Sequence, residues 1–139
     1  MLDCLIMGDS IAVGVHQYKQ ECVSYAKGGI NSWQYNKNFI NNKSNNYGAD
    51  VVVISLGTND HEGIKTYKEL KNTREHIKAS RVYWIMPPCN DDFCKPKVNQ
   101  AVEMIAKEYG DQIISTKKVQ KDNIHPSWSG YKELAKQIE

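Results

Sequence analysis

Four short segments carry residues whose types and spacing suit chemistry: Gly8-Asp9-Ser10, Lys27-Gly28-Gly29, Gly57-Thr58-Asn59-Asp60-His61 and Asp122-Asn123-Ile124-His125-Pro126. A serine hydroxyl is a weak nucleophile until a neighbouring base takes its proton. His125 can be that base. Asp122, three residues earlier, can hold the ring through Nδ1 and leave Nε2 for Ser10. The carbonyl that Ser10 would attack develops an oxyanion, which needs donors already in place. Candidates are the N–H of Ser10, the N–H of Gly29 and the side-chain amide of Asn59. Together these parts suffice for acyl transfer to water. Asp9, Asp60, His61 and Trp128 are further candidates for touching a substrate, with Asp9 the better suited to bracing loops.

Each residue also has a plainer use. Ser10 can be only a helix N-cap, and Asn59 a turn residue bonding its own backbone. Gly29 can serve a tight turn alone, with Gly28 its rival as oxyanion donor. Asp122 can be an Asx-turn residue, with Asp9 and Asp60 as competing carboxylates. His16 and His76 fall on helical segments and read as surface residues.

The elements that must position these segments follow from periodicity. Apolar runs at Leu2–Met7, Cys22–Ala26, Val51–Leu56, Arg81–Met86 and Gln112–Ser115 read as strands. Val51-Val52-Val53-Ile54 is the clearest, a β-branched run of the kind buried on both faces of a parallel sheet. Amphipathic stretches at Ile11–Gln20, Gly63–Ala79, Lys97–Tyr109 and Ser127–Ile138 read as helices. Asn31–Asn46, rich in Asn, reads as an irregular helix or a solvated connection. Strands alternating with helices, without hairpin turn signals, predict one α/β domain over residues 1–139. Its form is a three-layer, doubly wound, flavodoxin-like parallel sheet of about five strands, ordered 2-1-3-4-5, with helices on both faces. In such a sheet ligands bind beyond the carboxyl ends of the strands, where all four segments fall.

Composition narrows the function. Of 139 residues, 40% are hydrophobic and 24% charged, and the net charge is +2. Only Arg74 and Arg81 among the basic residues are Arg, and the Lys are dispersed, which argues against nucleic acid as partner. No apolar run approaches the roughly 20 residues of a spanning helix. Met1–Met7 has no basic n-region and carries Asp3, so it does not read as a signal peptide. The expectation is a cytoplasmic protein or, if virus-encoded, one in the virion or host cell. Cys4, Cys22, Cys89 and Cys94 fit no metal spacing and read as free thiols of a reducing compartment, a Cys89–Cys94 loop disulfide being the main exception.

The set Gly8-Asp9-Ser10, Gly29, Gly57-Thr58-Asn59-Asp60 and Asp122-Asn123-Ile124-His125-Pro126 resembles the SGNH (GDSL-type) hydrolases in order and spacing. The resemblance spans residues 8 to 126. It implies Ser10 as nucleophile, His125 as base, Asp122 as its orienting partner, and Ser10 N–H, Gly29 N–H and the Asn59 amide as oxyanion hole. It implies no metal or organic cofactor. The Gly-x-Ser-x-Gly elbow of the other large esterase fold is absent, since Ser10 precedes Ile11-Ala12. The chain is short for the family, so a shallow, open cleft is expected, with Cys89–Cys94 as a wall. Trp128 is either a stacking platform for a sugar or a packed aromatic. The leading function is a serine esterase acting on small acyl esters, acetyl on carbohydrate preferred because an open site with Trp33, Trp84 and Trp128 suits a polar ester. Lysophospholipid and thioester are the alternative substrates. The rival function is a carbohydrate-binding or virion structural component with this fold and little turnover. A nucleotide binder is disfavoured, because Asp9 would repel phosphate after strand 1.

Overall fold

The computed structural model describes residues 2–42 and 45–139. Five parallel strands form one sheet: β1 (Leu2–Gly8), β2 (Val23–Ala26), β3 (Gly48–Ser55), β4 (Lys78–Ile85) and β5 (Gln112–Ile114), in the order β2-β1-β3-β4-β5. The helices are α1 (Ser10–His16), α2 (Ser32–Tyr35) with a π-helical turn over Asn36–Ile40, α3 (Thr66–Glu75), α4 (Pro96–Tyr109) and α5 (Trp128–Gln137).

Side chains of a strand alternate between the two faces of its sheet, and both faces here are apolar. Leu5, Met7, Val52, Ile54, Val82 and Trp84 share one core with Tyr35, Leu70, Val102 and Ile105 from α2, α3 and α4. Ile6, Val53, Tyr83 and Ile85 share the other with Ile11 and Val15 of α1 and Leu134 of α5. The layers are therefore helix, sheet, helix, as periodicity predicts. Trp84 belongs to this core, fully buried with its indole N–H donating to Asp111 Oδ2 at 2.9 Å. It is thus removed from any substrate surface.

The helix read over Ile11–Gln20 stops at His16, and the structure refines or corrects three further readings. The helix read over Gly63–Ala79 is shorter at both ends, because His76 and Ile77 close its last turn and Lys78 and Ala79 already pair with β3. In Asn31–Asn46 the irregular-helix reading holds over the solvated connection, since α2 runs on into the π-helical turn. Asn36 is buried, its amide donating to the backbone and side chain of Glu69 while its oxygen accepts from Thr73 Oγ1 at 2.6 Å. Residues 43 and 44 of that segment lie outside the described residues. The cysteines are not free thiols: Cys4 pairs with Cys22 and Cys89 with Cys94. Register explains the first. Leu5 stands opposite Val23, so the preceding residues Cys4 and Cys22 face each other with Cα atoms 4.8 Å apart.

Candidate active site

All four chemical segments leave the carboxyl edge of the sheet. β1 ends at Gly8, whose φ is +136° and where a Cβ would stand 1.9 Å from Ser55 O, so only glycine fits. The chain then turns directly into α1. Asp9, not Ser10, is the N-cap, accepting from Ile11 N at 3.1 Å. Ser10 is the first helical residue, half-buried, with its hydroxyl free of capping duty. The plain N-cap reading of Ser10 therefore fails.

Ser10 Oγ lies 3.0 Å from His125 Nε2, and His125 Nδ1 lies 2.6 Å from Asp122 Oδ2. Asp122 Oδ1 accepts from Ile124 N at 2.9 Å and His125 N at 3.0 Å. The Asx turn and the bond to the ring coexist on one carboxylate, one oxygen for each. Hydrogen bonds from His125 and then Ile124 hold the Asp122 carboxyl down at about 2. An ionised carboxylate only accepts, so Nδ1 carries the ring proton and Nε2 is left to accept from Ser10. The side chains of His125 and Asp122 are 38% and 41% exposed, which makes this edge an open rim.

The loop after β2 runs beside Ser10. Lys27 O accepts from Ile30 N at 3.4 Å and Gly29 has φ +78°, the pattern of a type II turn. A Cβ on Gly28 would lie 3.8 Å from Ser10 Cβ. Among the described residues, the N–H groups of Ser10 and Gly29 meet no protein acceptor. Asn59 does not bond its own turn. Its Nδ2 donates to Ile30 O at 3.0 Å, which ties the loop after β3 to the glycine loop and, among the described residues, leaves its second amide hydrogen unspent.

Asp9 and Asp60 are buried on the protein's own groups, which favours the bracing reading of Asp9 and corrects the expectation of substrate contact for both. Asp9 is fully buried, accepting from Ser55 Oγ at 2.9 Å, with Oδ2 unpartnered among the described residues. Desolvation raises its carboxyl to about 7, so folding takes up a proton there between the unfolded value near 3.8 and that point. The stability Asp9 gives is full below about 3.8 and is lost as pH rises through about 7. Asp9→Asn should accordingly flatten the fall of the urea midpoint between pH 4 and 7. Asp60 is buried too, accepting from Ser32 N, Ser32 Oγ and Thr66 Oγ1 at 2.8, 2.6 and 2.7 Å. His61 is exposed and lines a cleft of about 810 Å³ with Glu62, Lys95 and Lys97. Trp128 is 79% exposed at the start of α5, so it is not a packed aromatic. Among the described residues, no group of three or more His, Cys, Asp or Glu is placed to hold a metal ion. Among them, too, no helix is long and apolar enough to cross a membrane.

No protein-family model matches the sequence, and no curated protein matches it significantly. Solved structures do. A lipolytic G-D-S-L family protein from Veillonella parvula superposes with a TM-score of 0.70 at 17% identity, covering 99% of this chain and 96% of that one. The chain has the SGNH-hydrolase fold. The C-terminal catalytic domain of peptidoglycan O-acetyltransferase A from Streptococcus pneumoniae, carrying a methylsulfonyl adduct, gives 0.70 at 16% identity, covering 97% and 89%. A catalytic mutant of an acetylxylan esterase from Geobacillus stearothermophilus gives 0.57 at 16% identity, covering 97% and 91%. The SGNH fold thus brings this chain's Ser10, His125 and Asp122 together at the rim where ligands bind in open α/β sheets.

Residues that sequence reasoning missed lie just behind these. Ser55 and Ser32 hold the two buried carboxylates, and Asn90 and Lys95 reach backbone carbonyls of the site loops. None has a sequence signature, because each acts on a backbone or a carboxylate far away in the chain.

Proposed function

We propose that this protein is a serine esterase that hydrolyses small acyl esters, acetyl first among them, through an acyl-enzyme on Ser10. The observation that carries the reading is the chain Ser10 Oγ to His125 Nε2 to Asp122 Oδ2, at 3.0 and 2.6 Å. Ser10 attacks the ester carbonyl as its proton passes to Nε2. The imidazolium, steadied by Asp122, returns that proton to the leaving alcohol oxygen. Water then enters, loses a proton to Nε2 and attacks the acyl carbon. Collapse breaks the bond to Ser10 Oγ, which takes the proton back, and the acid departs. Ser10 N–H, Gly29 N–H and the unspent Asn59 amide hydrogen serve the oxyanion. Asn59→Ala should lower kcat by about 10² to 10³ with the urea midpoint lowered only slightly. An unaffected kcat with a strongly lowered midpoint would make Asn59 a loop tie alone.

Carbohydrate is the favoured bearer of the acyl group. The rim is open, and Trp33 and Trp128, 51% and 79% exposed, stand on the helices that follow the glycine loop and the His125 loop. Exposed indoles suit stacking on sugar faces. Two of the similar structures are named for acetyl groups on glycans. Both disulfides support an oxidising compartment in place of the reducing one expected from sequence. Acetate release from acetylated xylan tests the substrate class: release that falls in Trp128→Ala supports it, whereas hydrolysis of lysophospholipid in preference would overturn it.

A further inference from the structure

The loop between β4 and α4 touches both halves of the candidate site. Its centre is a tight turn closed by the Cys89–Cys94 disulfide and an antiparallel bridge between the same two residues. Asn90 fixes the turn from inside: its N–H donates to Phe93 O at 2.8 Å, and its Oδ1 accepts from Asp92 N and Phe93 N, both at 3.0 Å. That leaves the Asn90 amide N–H to point outward. It donates to Asn123 O at 2.8 Å, and Asn123 Nδ2 donates back to Asp92 Oδ2 at 3.2 Å.

Asn123 is the residue between Asp122 and the two N–H groups that Asp122 Oδ1 binds. Its φ is +60°, the one left-handed non-glycine conformation among the described residues. A conformation of that kind persists only where the surroundings hold it. Here it brings Ile124 N and His125 N onto Oδ1, so that Oδ2 is the oxygen that meets the ring. At the other end of the strap, the residue after Cys94 is Lys95. Its Nζ donates to Thr58 O and Asp60 O, both at 2.8 Å, gripping the backbone on either side of Asn59.

The geometry points to Asn90 and Lys95 as positioning residues, carried on one disulfide-closed strap that sets the Asp122–His125 pair and the Asn59 donor relative to each other. The inference rests on the esterase reading for its consequence in turnover, though not for its geometry. Opening the disulfide with a dithiol gives two thiols and an oxidised dithiol. It frees the ends of the turn, so the grip on Asn123 loosens. Cys89 is exposed, which leaves this bond open to such a reductant.

Asn90→Asp isolates the effect, because a carboxylate still accepts from Asp92 N and Phe93 N but cannot donate to Asn123 O. In the esterase assay we expect kcat about tenfold lower with KM within twofold. The second readout is the pair of imidazole ¹⁵N shifts of His125 in the neutral ring, assigned with His125→Gln. The wild type should show the Nδ1–H tautomer, and Asn90→Asp a mixture of the two. Reduction should reproduce that mixture in a Cys4→Ser/Cys22→Ser background, where only Cys89–Cys94 remains to be opened. A tautomer that stays Nδ1–H in Asn90→Asp and after reduction would overturn the proposal, whatever happened to stability. The tautomer can be read in a protein without any turnover, so failure of the esterase reading stays separate from failure of this one.

Discussion

His125→Ala should abolish nearly all ester hydrolysis, with kcat lower by about 10⁶ and KM little changed. The size follows from the geometry. The imidazole is the only base within reach of Ser10 Oγ among the described residues, at 3.0 Å, and in the proposed mechanism it serves both halves of the reaction. Without it the serine must attack as a neutral alcohol, and the leaving alkoxide must depart unprotonated. What survives is the contribution of binding and of the oxyanion donors, about 10³ to 10⁴ over water. The ring is 38% exposed, so its removal leaves no buried cavity, and the urea midpoint should hardly move. Single-turnover kinetics on an activated ester would check this. A loss of only tenfold would mean that another group takes the serine proton.

Asp122→Asn should lower kcat by about 10⁴, more than the loss of one hydrogen bond would suggest. The amide can offer its N–H to the ring, and the ring then turns its proton to Nε2, where it no longer accepts from Ser10. Its Oδ1 can still accept from Ile124 N and His125 N, so the Asx turn stays and the fold with it. The pH dependence separates this role from simple electrostatics. Asp122 is depressed to about 2, first by the bond from His125 and then by that from Ile124 N. A depressed carboxyl contributes stability that is full above its unfolded value, near 3.8, and lost as pH falls through about 2. Above pH 4 Asp122 should therefore add no ionisation of its own to the pH dependence of kcat/KM. An ionisation above pH 4 that disappears in Asp122→Asn would contradict the geometry around Asp122.

Much of the architecture is legible in the chain. Val51–Ile54 can only be a strand buried on both faces, and short apolar runs separated by amphipathic stretches leave a parallel sheet as the consistent packing. Sequence also marks which residues sit at the carboxyl edge, because each chemical segment directly follows a run or precedes the last helix. Burial is what it leaves open. Asp9, Asp60 and Asp122 are three carboxylates in similar local settings, and only the packing of Ser55, Ser32 and Thr66 shows that two of them are spent inside the protein. Register is equally hidden: Cys4 and Cys22 become partners only once β1 and β2 are aligned residue by residue. Asn90 and Lys95 lie beyond sequence for another reason. They grip backbone carbonyls, which every residue has, so no side-chain type at the far end announces the contact.

The central claim is serine-dependent ester hydrolysis at this rim, and the most direct test compares the intact protein with Ser10→Ala on p-nitrophenyl acetate and p-nitrophenyl octanoate. The account predicts turnover of the acetate ester in preference to the octanoate, and its disappearance in Ser10→Ala while the fold and the urea midpoint are retained. Hydrolysis that survives in Ser10→Ala, or an intact protein that turns over neither ester, would contradict it.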